Sequence, residues 1–347
     1  MGARSRDGRQ GIVGRIAPEG SWVRGVLRKH LLAPRVPAHI SKNFKSLDEA
    51  CTERLQESLL HNFFANRSPS HLESPAGRRD LAEHMSGRLE QDRCNIVPWL
   101  DSVRPLAGSR VLEVGCGTGA STVALAEQGA RVVGIDVDAV ALKDAQERCR
   151  IYGLDVCFVN ANGADLSRFF SARQFDVILF YASLEHMTHS ERMLAISSSW
   201  ALLPPGGVLG VVDTPNRLWY YDSHTALAPF FHWLPDDLAM KYSRLSPREN
   251  FNTRFAEAGD TAYEDFMRWG RGASFHEFEL AIDGVNLKSR VSCASLYTRQ
   301  QRLLSRVKWG LSADGRYARF ISGLKPDVHS AFFEPYLNLA LMKPAQA

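Results

Sequence analysis

The chain has 347 residues, 45% of them hydrophobic, which suffices for one domain of about 250 residues with extensions and a sizeable core. No apolar run reaches the roughly 18 residues of a membrane-spanning helix, and the opening MGARSRDGRQGIVGR lacks the apolar stretch of a secretory signal, so neither is expected. The net charge of +4 is uneven: Arg4, Arg6, Arg9, Arg15, Arg24, Arg28, Lys29 and Arg35 crowd the start against only Asp7 and Glu19, and the remainder is mildly acidic.

Residues 1–45 lack periodicity and read as a solvated arm, or more sharply as an anchor for an acidic surface or partner. Ser46-Leu-Asp-Glu49 has the capping-box pattern, and Leu47, Cys51, Leu55 and Leu59 recur every four residues. Together they predict a helix to about Phe64. Residues 66–77 read as a linker. Leu81, Met85 and Leu89 predict a helix from about Arg78 that Pro98 interrupts.

A regular alternation follows. Strand Val111–Val114 leads to helix Ala120–Gln128. Strand Arg131–Ile135 ends at Asp136, and Asp138 and Gly153 bracket a helix from Ala139 to Tyr152. Strands Val156–Val159 and Phe175–Phe180 come next. Thr188-His-Ser-Glu191 opens a helix to about Leu203, and Val208–Val212 is the fifth strand. Such alternation predicts a doubly wound α/β sheet. Residues 216–273 are aromatic-rich and irregular and read as an inserted cap. Ser274-Phe-His-Glu277 opens a helix ending near Gly284. Val285–Cys293 and Tyr336–Met342 read as the sixth and seventh strands, with a basic helical insertion at 297–325.

Four regions are therefore expected. They are a basic tail with a helical extension (1–77), a core (78–215), a cap (216–273) and a C-terminal part of the core (274–347). Six cysteines show no C-x-x-C and no metal-ligand spacing with histidine, which suggests reduced thiols, a cytoplasmic setting and no zinc site.

The organising stretch is Val111-Leu-Glu-Val-Gly-Cys-Gly-Thr-Gly119. Strand, glycine loop and helix make the first half of a βαβ unit. The glycines let the backbone turn sharply and let a ligand approach closely. The letters also fit the loose dinucleotide fingerprint. Glu113, however, stands where a carboxylate repels a pyrophosphate and suits an ammonium.

With VVGIDVD (132–138), FVNANGADL (158–166), FDVILFYASLEHM (175–187) and LLPPGGVLGVVDTPNR (202–217), this stretch resembles the class I S-adenosylmethionine (SAM) methyltransferases. Within them it is most similar to the branch containing the ubiquinone-biosynthesis O-methyltransferases. The resemblance implies a Rossmann-like seven-stranded sheet and SAM as cofactor. It puts Glu113 at the ammonium, and the backbone N–H groups around Gly115, Cys116, Gly117 and Gly119 at the carboxylate. Asp136 falls to the ribose hydroxyls and Val137 to an adenine face. Asn162 takes the place of the family's usual acidic residue near the adenine amino group, and Gly163 offers its backbone N–H. Tyr181 lies at the end of the fourth strand, near the methyl group. Some relatives hold a divalent metal through a glutamate three residues before the Glu of the Glu185-His186 pair. Ala182 stands there, so metal independence is expected.

Methyl transfer to a hydroxyl needs an aligned acceptor and a base. His224 is the first choice, with His232 and His186 behind it, Asp222 as a partner for His224, and Asp213 as a further option. Trp219, Tyr220, Tyr221, Phe230, Phe231 and Trp233 around them suit a ring-shaped, small-molecule or glycan-like acceptor. An RNA-directed methyltransferase and a non-catalytic SAM-fold interaction module are alternatives, and an NAD oxidoreductase comes last. The sequence does not give the oligomeric state.

Overall fold

A computed structural model describes residues 36–255, 259, 262–282, 286–294 and 303–344. The basic arm lies outside the described residues. Five parallel strands form the body of the sheet: β1 (Arg110–Val114), β2 (Arg131–Asp136), β3 (Cys157–Asn160), β4 (Val177–Tyr181) and β5 (Val208–Pro215). A two-residue ribbon, β6 (Tyr221–Asp222) with β7 (Ala228–Pro229), stands apart. β8 (Val291–Ala294) and β9 (Tyr336–Met342) complete the sheet in the order β3-β2-β1-β4-β5-β9-β8, with β9 antiparallel to both neighbours.

The strand order reverses between β1 and β4. In open α/β sheets that is where the carboxyl ends of the strands leave a crevice for a ligand. Alternate side chains reach opposite faces of the sheet, and both faces are covered. Leu112, Val114, Ile178, Phe180, Leu209 and Val211 pack in one cluster with Ile196, Phe278 and Phe332. Val111, Val132, Val177, Leu179, Val208 and Val212 pack in the other with Trp99, Leu100, Val123 and Leu125. Burial on both sides explains why the strands read as continuous apolar runs.

The expected core strands are present with ends shifted by one to three residues, and β9 matches its expected bounds. The expected strand Val285–Cys293 is corrected: Leu287–Arg290 is helical and pairing starts at Val291. The basic insertion is two helices, Leu303–Leu311 and Ala313–Leu324, while its start at 297–302 lies outside the described residues.

The N-terminal region differs more. Helix Glu49–His61 is capped by Asp48, whose carboxylate takes the Cys51 N–H at 2.8 Å, and not by Ser46. The expected linker contains helix Pro69–Glu73 and the start of helix Pro75–Ala82. In each, a Ser-Pro pair supplies the N-cap and the first helical residue. The next helix passes Pro98 without a break into segment Val97–Val103. The wide π turn Asp92–Ile96 just before it re-spaces the backbone, so the proline lies in the first turn of a new α segment.

The expected cap is more ordered than its sequence suggests. Helices Asp236–Tyr242, Glu249–Phe255 and Tyr263–Met267 gather Phe231, Phe251, Phe255, Phe266 and Met267 into a small core of their own.

Candidate active site

The glycine loop is held by the neighbouring strand. Gly115 and Cys116 both donate backbone N–H to the Ile135 carbonyl, at 2.8 and 3.1 Å. The Gly117 N–H goes to Asp136 Oδ2 at 2.8 Å. These amides were expected to meet a ligand carboxylate, and the structure spends them on closing the loop. Gly115 (φ +84°), Gly117 (+50°) and Gly119 (+80°) are all left-handed. At Gly115 a Cβ would stand 2.5 Å from Ser183 Cβ, and at Gly119 2.9 Å from Ala145 Cα. At Gly117 it would meet nothing within 4 Å.

Beside the loop lies a cavity of about 680 Å³. Of the expected cofactor residues, Gly115, Cys116, Gly117, Asp136, Val137, Asn162, Gly163 and Tyr181 line it. Gly119 does not, because it caps helix Ala120–Ala126 and packs on Ala145.

Glu113 is the main correction. It is fully buried, and its carboxylate accepts hydrogen bonds from Ser121 Oγ and from Thr122 Oγ1, the latter at 2.5 Å. Strand alternation sends its side chain to the same face as Val111, under helix Ala120–Ala126, and away from the cavity. Burial pushes its carboxyl up to about 7 against the two hydroxyl bonds.

Asp136 keeps the expected position. Oδ1 takes the Asp138 N–H at 2.9 Å. Burial raises its carboxyl, and the Asp138 and Gly117 amides pull it back. Val137 is 67% exposed at the rim, an apolar surface with no covering partner among the described residues. Asn162 is tied on both sides: its oxygen accepts the Ala164 N–H at 2.9 Å and its amide donates to Glu191 Oε1 at 2.7 Å. The oxygen has a second lone pair to offer. Gly163 has no room for a side chain, since a Cβ would lie 2.8 Å from both Met187 Cε and Val114 Cγ1.

Sequence reasoning missed the wall built by the N-terminal helices. Arg88 and Asp92 line the cavity. Arg88 is the cation on that wall, suited to a carboxylate. Tyr181 donates its hydroxyl to Asp92 Oδ1 at 2.7 Å. Burial raises the Asp92 carboxyl well above its usual range, and the tyrosine bond offsets part of that. The π turn at Asp92–Ile96, which helps place this wall, has no distinct pattern in the sequence. Ala182 (φ 45°), just after β4, and Asp213 (φ 53°), at the irregularity inside β5, also line the cavity in left-handed conformations that cost a non-glycine residue about 1 kcal/mol or more.

The histidines separate. His186 lines the cavity. His224 stands behind it, with ring centroids 5.7 Å apart, and outside the cavity lining. Burial, and then the neighbouring His186, lowers the His224 imidazole to about 4. His232 is 2% exposed, and its Nε2 lies 3.3 Å from Asp222 Oδ1, off the line of a hydrogen bond. Of the three histidines expected as bases, His186 alone lines the cavity. Asp222 does not orient the His224 ring. It accepts the backbone N–H groups of His224, Thr225 and Ala226 at 2.9, 2.8 and 2.6 Å.

The six cap aromatics do not surround one acceptor. Trp219 and Tyr220 pack on Tyr317, Phe231 belongs to the cap core, and Phe230 and Trp233 sit on the surface 4.7 Å apart.

The sequence profile of a methyltransferase domain family matches residues 111–207, the stretch from β1 to the approach of β5 that carries the glycine loop and Asp136. These residues are similar to a methyltransferase domain, and the findings support a class I SAM-dependent methyltransferase. The domain is 30% identical over 149 residues to a ubiquinone biosynthesis O-methyltransferase of Ruegeria pomeroyi, a match covering 43% of this chain and 55% of that one. Its counterpart in Brucella ovis is 26% identical over 191 residues, covering 55% of this chain and 72% of that one. The match to the first of these thus spans about half of the relative's length. Among solved structures, the methyltransferase domain is similar to the SAM-bound magnesium protoporphyrin IX methyltransferase of Synechocystis, at 20% identity and TM-score 0.35, covering 52% of this chain and 83% of that one. No described helix is long and apolar enough to cross a membrane.

Proposed function

We propose that this chain binds SAM in the 680 Å³ cavity and transfers its methyl group to a hydroxyl oxygen of a small molecule. One observation carries the reading. A single cavity joins the Asp136 carboxylate at the end of β2 to His186 in the turn after β4, and the glycine loop lines it as well. The residues fit SAM. Gly117 leaves open space where a Cβ would stand, and Asp136 presents a carboxylate at a rim that also carries the exposed Val137.

SAM supplies an activated methyl group at its sulfonium. The chain's own part is positioning, which can supply much of the barrier reduction in such a transfer. Asp136 holds the ribose hydroxyls, Val137 and Asn162 the base, and Arg88 the carboxylate. Ser183, Ala182 and Tyr181 close the floor beneath the reacting carbon. The acceptor approaches from the His186 side, toward the corner formed by Glu185, His186 and His224. The hydroxyl acceptor is supported by that corner and by the names of the O-methyltransferase relatives.

Isothermal titration of the purified chain with SAM, S-adenosylhomocysteine and NAD tests the reading. Binding of the two sulfur nucleosides and none of NAD is expected, and Asp136→Ala should weaken it sharply. NAD binding without SAM binding would overturn the reading.

A further inference from the structure

Glu185, His186 and His224 bring three ligand-type atoms within 4.8 Å of one another. Glu185 and His186 sit in the turn after β4, and His224 arrives from the cap after β6. Glu185 is fully buried. Its Oε2 accepts the Thr214 hydroxyl at 3.2 Å, while Oε1 is buried with no hydrogen-bond partner and lies 3.9 Å from His186 Nε2. A buried carboxylate oxygen left without a donor is costly, and a site that keeps one has a reason to hold a cation there.

The imidazoles are set for the same purpose. His186 Nδ1 lies 2.9 Å from the Arg268 carbonyl. A carbonyl only accepts, so Nδ1 carries the proton and Nε2 keeps its lone pair. Thr225 spends its hydroxyl proton on the Gly270 carbonyl at 2.5 Å, so at 3.2 Å its oxygen accepts from His224 Nδ1. That again leaves Nε2 with the lone pair. Outer-shell acceptors fixing the tautomer and aim of each ring are what ligating histidines show in metal sites. A close contact also holds the His224 ring: a Cβ on Gly270 would come within 2.7 Å of His224 Nδ1.

We propose that Glu185, His186 and His224 form a binding site for one divalent transition ion of the zinc class, at the acceptor end of the cavity. Two imidazoles and one carboxylate suit such an ion, and three protein ligands leave a position open. His186 lines the cavity, so the open position faces the acceptor and takes its hydroxyl oxygen. The ligand atoms must close by at most about 1.5 Å to reach the edge of a tetrahedron with about 2.05 Å bonds. The site departs from the sequence-based expectation of metal independence. With Ala182 unable to ligate, the third group comes from the cap. The inference rests on the methyltransferase reading for its acceptor, and the ion itself is tested without it.

The test titrates Co²⁺ into chelator-treated full-length protein and follows its visible absorption, with SAM affinity measured in parallel. One equivalent with a tetrahedral spectrum is expected, displaced by Zn²⁺. Glu185→Gln, His186→Ala and His224→Ala should each weaken Co²⁺ binding at least about tenfold. In His224→Cys, a thiolate-to-cobalt band absent from the parent reads out the ligand directly, even if affinity falls. Parent protein that shows no Co²⁺ absorption, His224→Ala that binds as tightly as the parent, or His224→Cys without the new band would each overturn the site. SAM binding is a separate readout: its loss alone would refute the cofactor reading and leave the ion site standing.

Discussion

Asp222 and His232 meet at 3.3 Å, both buried, at the root of the cap. The aspartate also gathers three consecutive backbone amides, and so organises the turn that carries His224 to His186. Burial alone would raise the Asp222 carboxyl, but His232 and those amides hold it down at about 2.

The first prediction concerns that turn. Asp222→Ala strands three buried donors and should cost about 3 kcal/mol in denaturant melts. A carboxyl depressed in the folded state adds stability that is complete above the unfolded value of 3.8 and is lost as pH falls through about 2. The parent's advantage over Asp222→Asn should therefore shrink across that acid range. A constant difference from pH 5 to pH 2 would show that the carboxylate charge is not what holds the turn.

Asp136 supports a prediction about the cofactor. Removing two hydrogen bonds to a charged acceptor, at about 1.5 kcal/mol each, should weaken SAM binding about a hundredfold in Asp136→Ala. The same change releases the Gly117 amide, so a modest fall in melting temperature is expected alongside.

The glycine loop allows a contrast between two substitutions. Gly119→Ala forces a side chain against the Ala145 backbone at φ +80° and should destabilise the fold by roughly 1–3 kcal/mol. Gly117→Ala adds a methyl group where there is open space, at the cavity wall. It should cost less stability and more SAM affinity. Equal losses of stability in the two variants would contradict this division of roles.

Glu113 gives a pH effect of opposite sign to Asp222. Its folded value of about 7 lies above the ordinary 4.5. The folded state therefore holds a proton that the unfolded state has released between those two values, and stability falls as pH rises through that window. Relative to Glu113→Gln, the parent should lose roughly 3 kcal/mol between pH 4.5 and pH 7.5. Denaturant melts at half-unit pH steps check this, and flat parallel curves would show an unshifted carboxyl.

The sequence by itself determined the alternation of strands and helices, the glycine loop, and the two capping boxes at Thr188 and Ser274, whose N3 glutamates return to the N-cap amides at 2.9 and 2.8 Å. These are local patterns, set by side-chain period and by hydrogen bonds three residues apart. Tertiary structure decided the rest. Glu113 and Asp136 both stand near the ends of adjacent strands, yet one is sealed under a helix and the other faces the cavity. The difference depends on which sheet face each side chain takes and what covers it. Likewise Asp222 is close in sequence to His224, but its side chain pairs with His232, while His224 goes to Glu185 and His186. Contacts across such chain separations depend on how the cap folds back over the sheet, and no spacing within a segment encodes that.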